Sequence, residues 1–300
     1  MVTLLEAFYL YLEAGRAEDA DAIAERGMAA EPESQQWRFR VAQTRLALGD
    51  YERGWPLYEA RRWAFEPINV PPFNFPEWRG EPIERLLVWY EQGFGDQIMF
   101  ARWIPVLEAR GIAVRFACRP PLARLFRAAG LDAYPIPGAS QIPACDAWCL
   151  VGSLPLILGG LPPPIPLAGG EGRGVGFVGA GRPTHPNDAN RSMPPDIIEE
   201  MRAHTVSLAP EDTGAEDFEA TRRIIAGLER VVTVDTAMAH LAGSMGKPTT
   251  VIVPRIRTDW RWGRQGERTP WYPSIRIIRL ASQDADGWRE ALRQALPVVA

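Results

Sequence analysis

Beyond residue 78 of this chain, short apolar runs alternate with segments whose apolar residues recur every three to four positions. The runs at 86–90, 112–117, 175–178, 205–208, 231–234, 249–253 and 275–278 are short enough to predict buried strands. The segments at 97–110, 121–129, 195–203, 217–228, 237–245 and 285–296 carry helical periodicity. Strand and helix in alternation predict parallel sheets covered by helices on both faces, an α/β fold. The alternation is interrupted over 150–158 and 162–166, which divides it into two half-domains, 78–165 and 166–300. Ligands of open α/β sheets bind beyond the carboxyl ends of strands, so candidate chemistry is sought there.

Residues 1–66 follow a different, all-helical pattern with an internal repeat. Gly15-Arg16-Ala17 returns as Gly49-Asp50-Tyr51, 34 residues later. The same offset sets Phe8 on Ala42, Ala20 on Gly54 and Ala24 on Tyr58, and Pro32 closes the first unit. This is the tetratricopeptide pattern, or a plain pair of helical hairpins. Gly27 and Arg61 stand where alanine is usual. Two repeats are fewer than the roughly three that stack stably alone. The helices are therefore expected to lean on the next domain or on another chain. Residues 67–77, with Pro67, Pro71, Pro72 and Pro76, read as a linker.

Composition narrows the classes. Apolar residues make up 46% and charged residues 23%, ordinary globular usage that excludes disorder and fibre. A net charge of −4 gives no reason to expect nucleic acid as a partner. The longest apolar stretch, 150–167, holds five prolines, so no membrane span is expected. Glu6 and Glu13 precede the first arginine, unlike the basic start of a signal peptide. Cys118, Cys145 and Cys149 are too few for a disulfide scaffold, and His185, His204 and His240 add no metal-ligand spacing. The expectation is a cytoplasmic protein with no metal and no cofactor. Lys247 is the single lysine among 33 basic residues. The arginine excess reads either as codon usage or as phosphate binding, to be argued site by site.

Four motifs lie after strands. Glu91-Gln92-Gly93-Phe94-Gly95-Asp96 follows the first one. Gly93 and Gly95 would let the chain turn and a ligand approach, while Asp96 reads as a helix N-cap or a general base. The loop from Gly181 and Arg182 to Asn187-Asp188-Ala189-Asn190-Arg191-Ser192 offers Arg182 and Arg191 for bidentate phosphate contacts, or is a polar surface turn. At Val234-Asp235-Thr236-Ala237-Met238-Ala239-His240 a strand runs into a helix of small residues. Its first amides form an anion site, with the Thr236 hydroxyl adding a donor. Asp235 also reads as an N-cap, and His240 as a structural histidine. Asp259-Trp260-Arg261-Trp262, with Trp271 and Tyr272 beyond, either lines a cleft or packs the helices against the other domains. Gly174, Gly176 and Gly179 match a dinucleotide glycine spacing, but no helix start follows them.

Taken in order, the four motifs resemble those of tetratricopeptide-repeat glycosyltransferase-like proteins related to the heptosyltransferases, glycosyltransferase family nine. The resemblance covers about 78–280 and the repeat region. It implies two Rossmann-like lobes in a compact GT-B-like arrangement, with the acceptor on the first lobe and a nucleotide-sugar donor on the second. It also implies metal-independent transfer with inversion, Asp96 as catalytic base, and Arg182, Asp235, Thr236 and Ala237 at the diphosphate with His240 nearby. Asn187, Asp188, Arg191 and Ser192 fall in the donor loop, and 208–211 is the positional candidate for base selection. Trp260 and Trp262 are candidate cleft aromatics. Gly179-Ala180-Gly181 departs from relatives, which often carry Trp-Ala-Gly. The expected partners are a nucleotide-sugar and a protein acceptor such as flagellin, with a homo-oligomer compatible. The alternatives are a catalytically inactive adaptor that binds proteins through its repeats and, on the Gly174 spacing, an NAD(P) enzyme.

Overall fold

The computed structural model describes residues 2–64, 68, 70–136 and 144–296. The expected boundary between helical region and linker, at residues 66 and 67, lies outside these. Helices α1 (Leu4–Glu13), α2 (Ala17–Ala30), α3 (Gln35–Ala47) and α4 (Tyr51–Tyr58) form two hairpins. Gly15 and Gly49 follow α1 and α3 with φ of +71° and +82°, the left-handed turn that glycine adopts without strain. The positions paired by the 34-residue offset are buried in both hairpins: Phe8 and Ala42, Ala20 and Gly54, Ala24 and Tyr58. The two departures from alanine have local reasons. A Cβ on Gly27 would stand 2.3 Å from the Trp37 ring. Arg61 is half of an ion pair with the next lobe.

The first lobe is a parallel sheet of order β3-β2-β1-β4, formed by β1 (Arg85–Trp89), β2 (Ala113–Cys118), β3 (Ala133–Pro135) and β4 (Ala147–Leu150). Leu86, Val88, Phe116 and Cys149 are fully buried in it. The helix expected over 97–110 is instead α5 (Phe94–Phe100), a 3-10 turn at Ala101–Trp103 and α6 (Ile104–Ala109). Pro105, which has no N–H to donate, sits at the restart. The stretch 150–158, read as an interruption, holds the end of β4 and a short helix α8 (Leu154–Leu158), and α7 (Ala123–Ala128) precedes them. All three cysteines are buried free thiols.

The second lobe is a parallel sheet of order β6-β5-β7-β8-β9. Its strands are β5 (Val175–Val178), β6 (Val206–Ser207), β7 (Arg230–Val234), β8 (Thr249–Val253) and β9 (Ile275–Arg279). Helices α9 (Asp188–Arg191), α10 (Pro195–Arg202), α11 (Pro210–Thr213), α12 (Phe218–Ala226), α13 (Ala237–Ser244) and α14 (Ala285–Ala295) complete it. Lys247 anchors the entry to this lobe. Its ammonium donates to the carbonyls of Gly170 and Leu228 at 2.7 and 2.6 Å. The fold is thus α/β, with two Rossmann-like lobes behind an all-α region.

The helical region leans on both lobes. Trp55 of α4 meets Trp260 and Trp271 edge to face, with centroids 5.6 and 6.2 Å apart, and Tyr58 meets Trp260 at 5.7 Å. Such pairs add about 0.5–1.5 kcal/mol each beyond their area burial. Arg61 grips Glu91 with two hydrogen bonds of 2.8 and 2.7 Å, both side chains being buried. One apolar core runs from Ala42 and Trp55 through the first lobe to Ala239 and Trp260 in the second. Among the described residues no helix is long and apolar enough to cross a membrane.

Candidate functional site

Each sheet has one point where its strand order reverses, and such points open a crevice beyond the strand ends. In the first lobe it lies between β1 and β4, and in the second between β5 and β7. The second-lobe crevice opens into a cavity of about 980 Å³, which residues just after β1 and β2 reach from the first lobe. At the β1–β4 point Glu91 binds Arg61 and the Gly152 N–H instead. The loop 92–96 lines it from the first lobe, and the loops after β5, β7 and β8 line it from the second. Residues 208–211 also reach its wall, as do Phe8, Tyr9 and Leu12 of α1 and Phe39, Arg40 and Gln43 of α3. The cavity therefore has three walls, one of them supplied by the helical region.

Asp96 stands at the third position of α5, not at its cap. Gly93 is the cap, and its N–H donates to Asp96 Oδ2 at 2.9 Å. The other carboxylate oxygen accepts a hydrogen bond from the Arg261 guanidinium of the second lobe. Burial pushes the Asp96 carboxyl up, and Arg261 only partly offsets this. The left-handed residue of this loop is Gln92, with φ of 58°, a conformation that costs a non-glycine residue energy. Gly95 is helical, so the expected ligand approach does not explain it. A Cβ there would lie 2.5 Å from His240 Cδ2 and 3.4 Å from the Ala237 Cα. Gly95 is small so that α5 and α13, one from each lobe, can touch.

Thr236, not Asp235, caps α13, accepting from the Met238 N–H at 3.3 Å. The Ala237 N–H has no partner among the described residues, and Thr236 and Ala237 line the cavity. This is the open helix start expected of an anion site. Burial, with the charge of Asp259 nearby, lifts the Asp235 carboxyl to about 6. His240 is buried, its Nδ1 3.0 Å from the Tyr272 hydroxyl. Burial and the Arg261 charge push it down to about 3, so its imidazole is neutral.

The loop after β5 is held by its own side chains. Ser192 Oγ accepts from the Gly181 N–H at 2.9 Å and donates to Asp188 Oδ1 at 3.0 Å. Arg191 Nη1 donates to the Asp235 carbonyl at 2.8 Å and its Nε to Asp188 at 3.2 Å. Asn187 donates to the Arg257 carbonyl at 3.0 Å. Arg182 differs: it is exposed at the cavity and has no side-chain partner among the described residues. Asp188, Ser192 and Arg191 thus shape the loop, while Arg182 is left open for a ligand. Gly174, Gly176 and Gly179 have packing reasons. Gly174 has φ of +85°, and a Cβ on Gly176 or Gly179 would stand 2.8 or 2.7 Å from Leu228 or Ile198.

Of the two candidate cleft aromatics, Trp260 reaches the cavity wall and Trp262 is corrected from cleft to core. Trp262 is 1% exposed, 5.4 Å from the His240 ring and absent from the cavity wall. Trp260 shows the cavity little of itself and spends its surface on Trp55 and Tyr58. Arg261, between them, binds Asp259 at 2.9 and 3.1 Å as well as Asp96. Burial alone would weaken its charge, but the two carboxylates hold it ionised. Arg40 was not foreseen either. Arg40 is 6% exposed, and among the described residues its Nε has no hydrogen-bond partner and its guanidinium no ion pair. A lone buried cation costs several kcal/mol in lost hydration, more than the ~0.5–2 kcal/mol of a cation–π contact returns. No group of three or more His, Cys, Asp or Glu among the described residues is placed to hold a metal ion.

No protein-family model matches the chain. Among curated proteins it is similar to Protein FlbA of Caulobacter vibrioides, 26% identical over 313 aligned positions, 80% of this chain and 51% of FlbA. The chain spans about half the length of that relative. Among solved structures, E. coli heptosyltransferase WaaC with ADP aligns at 13% identity and TM-score 0.46, over 71% of this chain and 97% of that one. The iron-containing dodecameric glycosyltransferase TibC from enterotoxigenic E. coli aligns at 12% identity and TM-score 0.45, over 71% of this chain and 67% of TibC.

Proposed function

We propose that the protein transfers a sugar from a nucleotide-activated donor to an acceptor hydroxyl. One observation carries this reading: a single cavity joins the half-buried Asp96 carboxylate of the first lobe to the open Arg182, Thr236 and Ala237 of the second. The acceptor oxygen forms a bond to the anomeric carbon as the bond from that carbon to the phosphate oxygen breaks. The nucleoside diphosphate leaves with the electron pair, and the acceptor proton passes to Asp96. A carboxylate raised by burial is a stronger base than a solvated one. Arg182 and the start of α13 stabilise the charge that develops on the leaving group. Attack from the face opposite the leaving group inverts the anomeric centre, and no metal takes part. The helical wall of the cavity fits a polypeptide acceptor, flagellin being one example.

A second reading, a non-catalytic adaptor, is favoured by one feature: both Asp96 oxygens are already occupied, by Gly93 and Arg261. The test is thermal shift with UDP, ADP, GDP, dTDP and CMP, then turnover with the responsive donor class. Asp96→Asn should lower turnover by about 10²–10⁴-fold and leave nucleotide affinity unchanged. Loss of both together assigns Asp96 to the fold alone. No nucleotide shift favours the adaptor.

A further inference from the structure

In the helical wall, folding leaves one charge unanswered. The Arg40 guanidinium lies 5.1 Å from the Trp37 ring, 5.9 Å from Tyr9 and 6.0 Å from Phe8. Aromatic rings shield the faces of a guanidinium but do not satisfy its N–H edges. Gln43, three residues on and so on the same side of α3, also lines the cavity and has no side-chain hydrogen bond among the described residues. No acid pairs with Arg40 among the described residues, and two of the cavity's acids, Asp235 and Glu211, belong to the second lobe. Asp96 and Asp259 bind Arg261, Glu13 pairs with Arg257, and Asp21 accepts from Thr44. The cavity is lined by seven arginines and four acidic residues in a chain of net charge −4. It therefore attracts anions, and a carboxylate, like a phosphate, can bind a guanidinium edge through two parallel hydrogen bonds.

We propose that Arg40, aided by Gln43, holds the carboxylate of an acidic side chain in a polypeptide acceptor. The cations assigned above to the diphosphate, Arg182 and the α13 start, belong to the second lobe, whereas Arg40 belongs to the helical region. The rings of Phe8 and Tyr9 and the apolar Leu12 suit the aliphatic stem beside such a carboxylate. The inference rests on the reading of the acceptor as a polypeptide, and it names what that polypeptide carries near its target hydroxyl.

The test uses short fluorescein-labelled peptides of Gly and Ala around a central Ser, with Glu, Gln or Lys at a flanking position. They are titrated by anisotropy against the full chain, with and without UDP and ADP. Glu peptides should bind at least about five-fold tighter than Gln peptides. Arg40→Gln should abolish that preference, and Arg40→Glu should shift it to Lys. Equal binding of Glu and Gln peptides by the unsubstituted protein overturns the inference without need of a variant. So does a preference that survives Arg40→Gln, or a loss of nucleotide binding in Arg40→Gln, which would seat the diphosphate there. A nucleotide shift without Glu preference overturns this inference alone. A Glu preference without a nucleotide shift supports the acidic site and overturns sugar transfer.

Discussion

Two arginines of the helical region are equally buried, at 6% exposed, and face opposite surroundings. Arg61 lies at the seam with the first lobe, where Glu91 takes two of its hydrogen bonds, Glu59 pairs with it and Ser153 accepts a further bond at 2.9 Å. Those carboxylates hold its charge against a burial that alone would weaken it. Arg40 lies at the cavity, has no charged partner among the described residues, and meets the rings of Phe8, Tyr9 and Trp37. The seam is complete in itself, whereas the cavity wall carries the charge proposed above to meet an acceptor. Burial alone does not separate a structural charge from a binding one; the presence of a counter-charge does.

The comparison breaks first at the seam. Arg61→Met leaves Glu91 buried and unpaired, and a denaturant melt should show a loss of about 3–5 kcal/mol. A loss below about 1 kcal/mol would mean that the pair is no more than packing. The next effect is on the cavity floor and is read in pH. Asp235, raised to about 6 in the fold, binds a proton there more tightly than when unfolded. Its contribution to stability therefore falls as pH rises from about 4 to about 6. His240, lowered to about 3, binds a proton less tightly in the fold, so its contribution rises from about pH 3 to about 6.5. Asp235→Asn should gain stability relative to the parent as pH rises through that window, and His240→Gln should lose it. Each slope is at most about 1.4 kcal/mol per pH unit. Parallel stability profiles for parent and variants would remove both shifts. The smallest effect has the opposite sign: Arg40→Met removes an unpaired buried charge and should raise stability, by about 1–2 kcal/mol. A loss comparable to that of Arg61→Met would make the two arginines alike.

The alternating pattern made most of the fold legible, because strand and helix are written in local periodicity. β8 is Thr249–Val253, the residues its apolar run marked. β3 and β4 escaped because β3 ends on Pro135 and β4 runs straight into the apolar stretch 150–158 that read as an interruption. The site motifs were legible for a related reason: Gly93, Asp96 and Thr236 stand at strand ends where short loops meet helices. What joins them was not. Arg261 reaches Asp96 across 165 positions and Arg61 reaches Glu91 across 30, and no local pattern encodes such pairings. Arg61 even entered as a misfit in the repeat, since its reason lies in another lobe. Trp260 and Trp262 were ambiguous because an aromatic ring serves a cleft and a core equally well until its neighbours are known.

The lysine that anchors the second lobe has a practical consequence. Because Lys247 is the single lysine and its ammonium is enclosed by backbone carbonyls, the folded chain offers lysine-directed reagents almost nothing. Because Pro248 follows it, an endoprotease that cuts on the amino side of lysine is the one to use: it would cut this chain at one bond, Gly246–Lys247, and only after that segment has opened. The cleavage rate, followed on a gel, would serve as a clock for opening of the second lobe, and a bound ligand that closes the cleft would slow it.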